Sequence, residues 1–323
     1  MPYTTGITAY AMNFTSFGGP EVLTKHNYRL TRPSPGEVLV TTSAIGANPL
    51  DYKMRDGSSG LSKNLTFPAV VGREASGVVL AVGEGVAEFR PGDQVFGMRS
   101  HADSRGTYSS HNMFNADELV RIPEGLTPVK AAALPVVGLT AYQAVVDLAQ
   151  VRAGETVVIH GAGGGVGRIA TQLCLAAGAE VVAVASSAHH DMLTGWGARH
   201  LDYTRGDVFA QLREEFPGGV DVVIDGVYFD TFIPSLDIIA GEGRGRIVVL
   251  PSLADLQPAH DRGITAHIPE ISPNRQRLQE LAARVLSGEL DVTVAQTYPL
   301  TQASEVHRIL ESGHAPGKLV LIP

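Results

Sequence analysis

The segment TVVIHGAGGGVGRIATQL, residues 156–173, constrains this chain more than any other. An apolar, β-branched run passes into a glycine-rich turn, Gly161 to Gly167, and directly into an amphipathic helix. A strand that is apolar throughout must be covered on both faces, so this order reads as one half of a β-α-β unit. Ala162, Gly164 and Gly167 stand in an A-x-G-x-x-G pattern. The bare backbone at Gly163, Gly164 and Gly165 lets N–H groups approach a pyrophosphate. Val166 and Gly167 then open a helix whose N-terminus carries about half a positive charge. A glycine turn without a ligand is the bland alternative, and repetition of the unit argues against it.

That repetition runs through the second half of the chain. TVVIH (156–160), EVVAV (180–184), RHLDY (199–203), VDVVID (220–225) and RIVVL (246–250) alternate with helix-length stretches, the form of a doubly wound parallel sheet. In the first intervening helix Val166, Ile169, Ala170, Leu173 and Ala177 share a face, and Gly178 supplies a stop. From Glu37 to about Val82 the texture is different: EVLVTTSAI and GVVLAVG are strand-like and suggest a β-rich, barrel-like domain. The change falls near Leu126. After Gly263 come a helix (NRQRLQELAARVLSG), a strand (VTVAQTYPL), a helix from Thr301 and a last strand, KLVLI; this tail is expected to return to the first domain.

A length of 323 residues suits two domains of ordinary size. The net charge of -8 opposes binding to nucleic acid or an anionic membrane, both of which need concentrated Lys and Arg, and favours a small-molecule partner. The one cysteine, Cys174, excludes an intrachain disulfide and a multi-cysteine metal site. His101 and His111 show no metal-ligand spacing, and Cys174 and Trp196 read as packing. No stretch has the form of a signal peptide or a membrane span, so a cytoplasmic location is expected.

The second strand of the sheet bears on which dinucleotide is held. An Asp or Glu about 20 residues past the glycines accepts the ribose hydroxyls of NAD. EVVAV ends instead in Ala185, Ser186 and Ser187. A carboxylate about 4 Å from a 2'-phosphate costs roughly 4 kcal/mol at an effective dielectric of 20. Its absence, with two hydroxyls in its place, points to NADPH. His189, His190 and Tyr203 stand nearby in sequence, and one imidazole is expected to clamp the phosphate. A histidine with a pKa near 6.5 is only partly charged at neutrality, so affinity for NADPH is expected to weaken from pH 6 to 8.

FGGPEVL (17–23), GANPLDYKMRDG (46–57), FPAVVGREASGVV (67–79), PGDQVFG (91–97), LPVVGLTAY (134–142), GAGGGVG (161–167) and GKLVLIP (317–323) together carry a resemblance over nearly the whole length. The chain resembles the medium-chain dehydrogenase/reductase superfamily, in its zinc-free quinone oxidoreductase (zeta-crystallin-like) and enone reductase branch. The resemblance implies an α/β protein with a GroES-like β-barrel catalytic domain, 1–126 and 265–323, around a Rossmann domain, 127–264, with the active site in the cleft and a homodimer as the assembly. Asn48, Tyr52 and Lys53 would line the nicotinamide pocket, Thr140 would touch the cofactor, and Val227, Leu250 and Lys318 would lie along it. Zinc enzymes of the superfamily need a catalytic Cys, a His-Glu pair and a four-cysteine lobe. Here Arg73 precedes Glu74 where the histidine would stand.

Without a Lewis acid, alcohol–ketone interconversion loses its usual catalyst, whereas quinones and conjugated C=C bonds are already electron-poor. Hydride arriving at an enone β-carbon drives charge onto the carbonyl oxygen, which needs a donor, and then a proton at the α-carbon. Tyr52 and Lys53 are candidates, against a plainer reading in which Asn48 and Asp51 form a turn, Tyr52 packs and Lys53 contacts a ribose hydroxyl. The expected activity is NADPH-dependent reduction of a quinone or enone. An enoyl-thioester reductase using Arg55, Lys63 or Arg99 toward an acyl carrier, and a non-catalytic NADPH-binding protein, are the rivals.

Overall fold

The computed structural model describes residues 8–100, 104–241, 243–313, 315 and 317–323. The chain divides into two units, Met1–Leu139 with Ser272–Pro323, and Thr140–Ile271.

The first unit opens with β1 (Thr8–Phe14), β2 (Thr24–Arg29), β3 (Glu37–Ala47), α1 (Pro49–Asp56), β4 (Ala69–Val70), β5 (Glu74–Val82), β6 (Gln94–Met98), β7 (His111–Asn115) and β8 (Leu119–Arg121). β3 is its spine. It pairs with β5 over its length on one edge, and on the other with β7 at Glu37–Thr41 and with β16 (Lys318–Ile322) at Ile45–Ala47. Register shifts at Leu39/Val40 and Thr42/Ala44 bend the β3–β5 ladder. Val38, Val40, Ile45, Phe114, Leu119, Leu319 and Leu321 fill the core beneath it. Each such side chain contributes about 1.5–3 kcal/mol by leaving water. α2 (Pro128–Ala133) and the start of α3 (Pro135–Tyr142) belong to this unit, past the change of texture at Leu126, because the alanine face of α2 is buried and packs on β3, β5 and β6. α9 (Arg275–Ser287), β15 (Val294–Pro299) and α10 (Ala303–Glu311) complete it.

The second unit runs β9 (Thr156–His160), α4 (Gly165–Ala176), β10 (Glu180–Ala185), α5 (His190–Gly195), β11 (Arg199–Asp202), α6 (Val208–Glu215), β12 (Val222–Asp225), α7 (Phe232–Leu236), β13 (Arg246–Val249), α8 (Gln257–His260) and β14 (Thr265–His267). The strands are parallel, in the order β11-β10-β9-β12-β13-β14. This is the expected doubly wound sheet, with β14 added to the five strands legible in sequence. Val158, Val182, Val223, Ile247 and Val249 are buried at its centre. No described helix is long and apolar enough to cross a membrane.

Candidate functional site

Strand order in the second unit reverses between β9 and β12, and such reversals open a crevice at the carboxyl ends of the strands. The glycine turn fills that place. Gly161 adopts φ +75°, a left-handed conformation natural to glycine. Its carbonyl accepts from Gly164 N at 3.0 Å and lies 2.3 Å from where a Cβ on Gly167 would stand, so helix and strand meet with no room for a side chain. Gly164, exposed and extended, caps α4. The first-turn N–H groups at Gly165, Val166 and Gly167 have no carbonyl behind them in the helix and face the crevice end.

The other cofactor candidates of this unit, Thr140 on α3 apart, gather at the same edge. Ser186, Ser187, His189 and His190 follow β10; Tyr203, largely exposed, follows β11; Val227 follows β12; and Leu250 follows β13. Val227 Cγ2 lies 3.6 Å from the position of a Gly161 Cβ, and Leu250 Cδ1 3.5 Å from that of Gly226. Asp225, which the sequence reading passed over, builds this corner. Its buried carboxylate accepts from Val227 N at 2.9 Å, Tyr228 N at 3.0 Å and Thr231 Oγ1 at 2.7 Å. Tyr228 is held there at φ 78°, a costly conformation for an aromatic residue.

The histidines after β10 each have a side-chain partner. His189 Nδ1 lies 3.4 Å from Arg168 Nη2 and accepts from it, while Arg168 Nε donates to the Gly163 carbonyl at 2.8 Å. Burial, then the Arg168 guanidinium and His200, push the His189 imidazole below its ordinary range, which favours the neutral ring. His190 is exposed, with Nδ1 3.1 Å from His200 Nδ1; His200 Nε2 donates to the Ala185 carbonyl at 3.1 Å. Arg168 went unnoticed in the sequence because a helical arginine usually reads as surface.

In the first unit, α1 starts as its sequence dictates. Pro49 occupies the first helical position, Asn48 N donates to Asp51 Oδ2 at 2.8 Å, and Gly57 ends the helix at φ 87°. The Asn48 side chain turns inward. Its Nδ2 donates to Glu74 Oε1 at 2.9 Å, and its Oδ1 accepts from Lys318 Nζ at 2.6 Å. Lys318 Nζ also donates to Ala47 O at 3.1 Å and to Glu74 Oε1, and Glu74 Oε2 accepts from Val136 N at 2.7 Å. All three ammonium donors of Lys318 are thus committed to acceptors within the protein. The Asn48 side chain is committed to the same group, and its backbone N–H to the helix start. Both commitments have one cause: a buried carboxylate must be paired, and β16 brings the ammonium to it.

Asp51 lies beneath this group, fully buried, and burial pushes its carboxyl up to about 7. Tyr108 Oη donates to Asp51 Oδ2 at 3.2 Å and lies 3.2 Å from His307 Nε2. Burial, then Arg55, pull His307 down to about 3. Tyr52 and Lys53, the next residues of α1, are half-buried. Burial, with Asp56 and Glu311 adding to it, raises the Tyr52 phenol, so it stays protonated and able to donate.

Arg55 and Arg99, weighed for the enoyl-thioester reading, are buried: Arg55 pairs with Glu311, and Arg99 donates to the Met113 carbonyl. Lys63 is exposed. Cys174 is buried in α4, and burial raises its thiol, as its packing role requires. His111 lies on β7, and His101 falls outside the described residues. Among the described residues no three His, Cys, Asp or Glu gather as metal ligands would.

Residues 34–124 match the alcohol dehydrogenase GroES-like domain family, and 196–321 the zinc-binding dehydrogenase family. Quinone oxidoreductase 1 of Escherichia coli is 32% identical, over 98% of this chain and 100% of its own. An E. coli quinone oxidoreductase solved in complex with NADPH superimposes with a TM-score of 0.85 at 31% identity, covering 97% of this chain and 100% of that one. The CurK enoyl reductase gives 0.86 at 25% identity, covering 97% and 99%.

Proposed function

The chain belongs to the medium-chain dehydrogenase/reductase superfamily, in its quinone oxidoreductase branch, and on that premise we propose that it reduces quinones or α,β-unsaturated carbonyls with NADPH, by direct hydride transfer and without zinc. The observation that carries this reading is a glycine cradle at the reversal of strand order beside a β10 end that bears Ser186 and Ser187 in place of a carboxylate. The solved E. coli relative supports the cofactor assignment. NADPH, when bound, supplies the hydride.

In this reading the amides of Gly163 to Gly167 hold the pyrophosphate, Ser186 and Ser187 the phosphorylated ribose, with Tyr203 beside them. Val227, Leu250 and Thr140 contact the remainder. Tyr52 donates to the oxygen that gains charge, and Lys53 bonds a cofactor ribose hydroxyl. Asn48 and Lys318 act as positioning residues that anchor the start of α1. A zinc ion does not fit the polar cluster: the Glu74 carboxylate is neutralised by Lys318 and also accepts from Asn48 and Val136, and the one cysteine is buried in α4. The same reading includes a homodimer joined along the open edge of β14.

The test is NADPH oxidation against quinones, enals, enones and enoyl thioesters, before and after dialysis with a chelator. Turnover with quinones or free enones that survives the chelator is expected; turnover with thioesters alone favours the enoyl reductase reading, which the likeness to CurK supports. For that rival the buried Arg55 and Arg99 leave only Lys63, of the three basic residues weighed, to meet an acyl carrier. NADPH binding with no turnover on any substrate overturns both in favour of a non-catalytic role.

A further inference from the structure

Resting on the reading of this chain as an NADPH-dependent reductase, we infer that Arg168 selects the 2'-phosphorylated cofactor, its guanidinium supplying a positive charge between the glycine turn and the segment after β10. Arg168 stands in the first turn of α4, immediately behind the glycine cradle, and is only 6% exposed. Nε donates to the carbonyl of Gly163 at 2.8 Å and Nη2 to His189 Nδ1 at 3.4 Å. The guanidinium is thereby pinned between the turn after β9 and the segment after β10. Those are the two places that would receive the pyrophosphate and the adenosine ribose of a bound dinucleotide.

The packing around it is built. A Cβ on Gly163 would stand 2.1 Å from His189 Cδ2, so the imidazole lies directly against bare backbone. Because Nδ1 accepts from Arg168, the His189 proton sits on Nε2, and the ring is a neutral bracket for the arginine. Arginine keeps its charge at every physiological pH, and its planar fork matches phosphate oxygens.

The other charged and titratable groups at this edge are accounted for. His190 is bonded to His200, which donates to Ala185 O. Asp202, in register with Ala185, closes its own turn by accepting from Thr204 N at 2.9 Å and Thr204 Oγ1 at 2.7 Å. Asp191 on α5 and Arg205 after β11 are exposed. Arg205 is thus the rival cation.

The test is calorimetric binding of NADPH and of NADH to the full-length protein at pH 6, 7 and 8. The wild type is expected to prefer NADPH by a ratio that does not fall from pH 6 to 8, because the 2'-phosphate, with a second pKa of about 6, only gains charge over that range while an imidazolium clamp would lose its own. Arg168→Gln is expected to weaken NADPH binding about tenfold or more, the factor that 1.4 kcal/mol brings, with NADH nearly unchanged. Arg168→Lys, which keeps the charge without the fork, retains a preference for NADPH, and so do His189→Asn and Arg205→Gln. An unaltered ratio in Arg168→Gln, equal loss of both cofactors, equal affinities in Arg168→Lys, or a ratio that collapses in Arg205→Gln overturns the inference. A wild-type protein that binds both cofactors alike overturns the NADPH reading itself, before any variant is made.

Discussion

Lys318 and Glu74, 244 residues apart in sequence, form a buried ion pair that also takes in the side chain of Asn48 at the start of α1. Breaking such a pair from one side leaves an uncompensated charge. Lys318→Met is therefore expected to destabilise the protein by about 3–5 kcal/mol, and addition of Glu74→Gln to restore much of the loss. Urea denaturation of the single and double variants checks this; a double variant no more stable than Lys318→Met removes the ion pair as the cause.

Asp51 and His307, bridged by Tyr108, make opposite contributions to stability as pH changes. Asp51 rises on folding from 3.8 to about 7, so the folded state binds the extra proton, and its contribution is lost as pH climbs through 7. His307 falls from 6.5 to about 3; its contribution is present above 6.5 and is lost as pH drops through 3. Between pH 4 and 6.5 the slopes of these two groups oppose each other. Relative to the wild type, stability should rise more steeply with pH in Asp51→Asn and less steeply in His307→Gln. Thermal melts across that range decide, and parallel curves for both variants contradict the assignment.

Gly167 and Gly164 separate packing from exposure within one turn. A methyl on Gly167 meets the Gly161 carbonyl at 2.3 Å, whereas one on Gly164 comes no nearer than 3.3 Å. Gly167→Ala is expected to cost about 1–3 kcal/mol and to abolish cofactor binding. Gly164→Ala is expected to stay within about 0.5 kcal/mol of the wild type. Melting temperatures and NADPH titration measure both effects.

Tyr52 and Lys53 divide turnover from binding. Loss of the phenol in Tyr52→Phe is expected to lower kcat about 100-fold with little change in KM. Lys53→Ala is expected to raise the Kd for NADPH about tenfold, as the loss of one charged hydrogen bond does. Steady-state kinetics beside calorimetry distinguish them, and unchanged affinity and rate in Lys53→Ala take that residue out of the site.

The parts of the fold that announce themselves in sequence are those set by local pattern. The apolar runs at 156–160 and 180–184 and the glycine turn between Gly161 and Gly167 each carry their own period or punctuation. β14 does not: Thr265, Ala266 and His267 form too short a run to show one, and only pairing with β13 makes them a strand. The site divides the same way. Backbone cradles are legible because glycine spacing encodes them. The commitments of Asn48, Lys318, Arg55 and Arg168 are not, since each depends on a partner brought in by tertiary structure, such as Glu74 for Lys318 and His189 for Arg168. A polar residue's type says that it needs a partner; it does not say whether the partner is a ligand or another side chain.

The pairing of β16 with β3 also sets a schedule for the ribosome. Lys318 reaches the carbonyl of Ala47 across 271 residues of sequence. At 5–20 residues per second, that stretch takes roughly 15–50 s to synthesise. Throughout that interval β3 waits with part of one edge unpaired and Glu74 without its counter-ion, while the strands of the second unit, contiguous in the chain, can already assemble. The nascent first unit therefore stays incomplete, with an open strand edge and an unpaired carboxylate, until β16 has been translated.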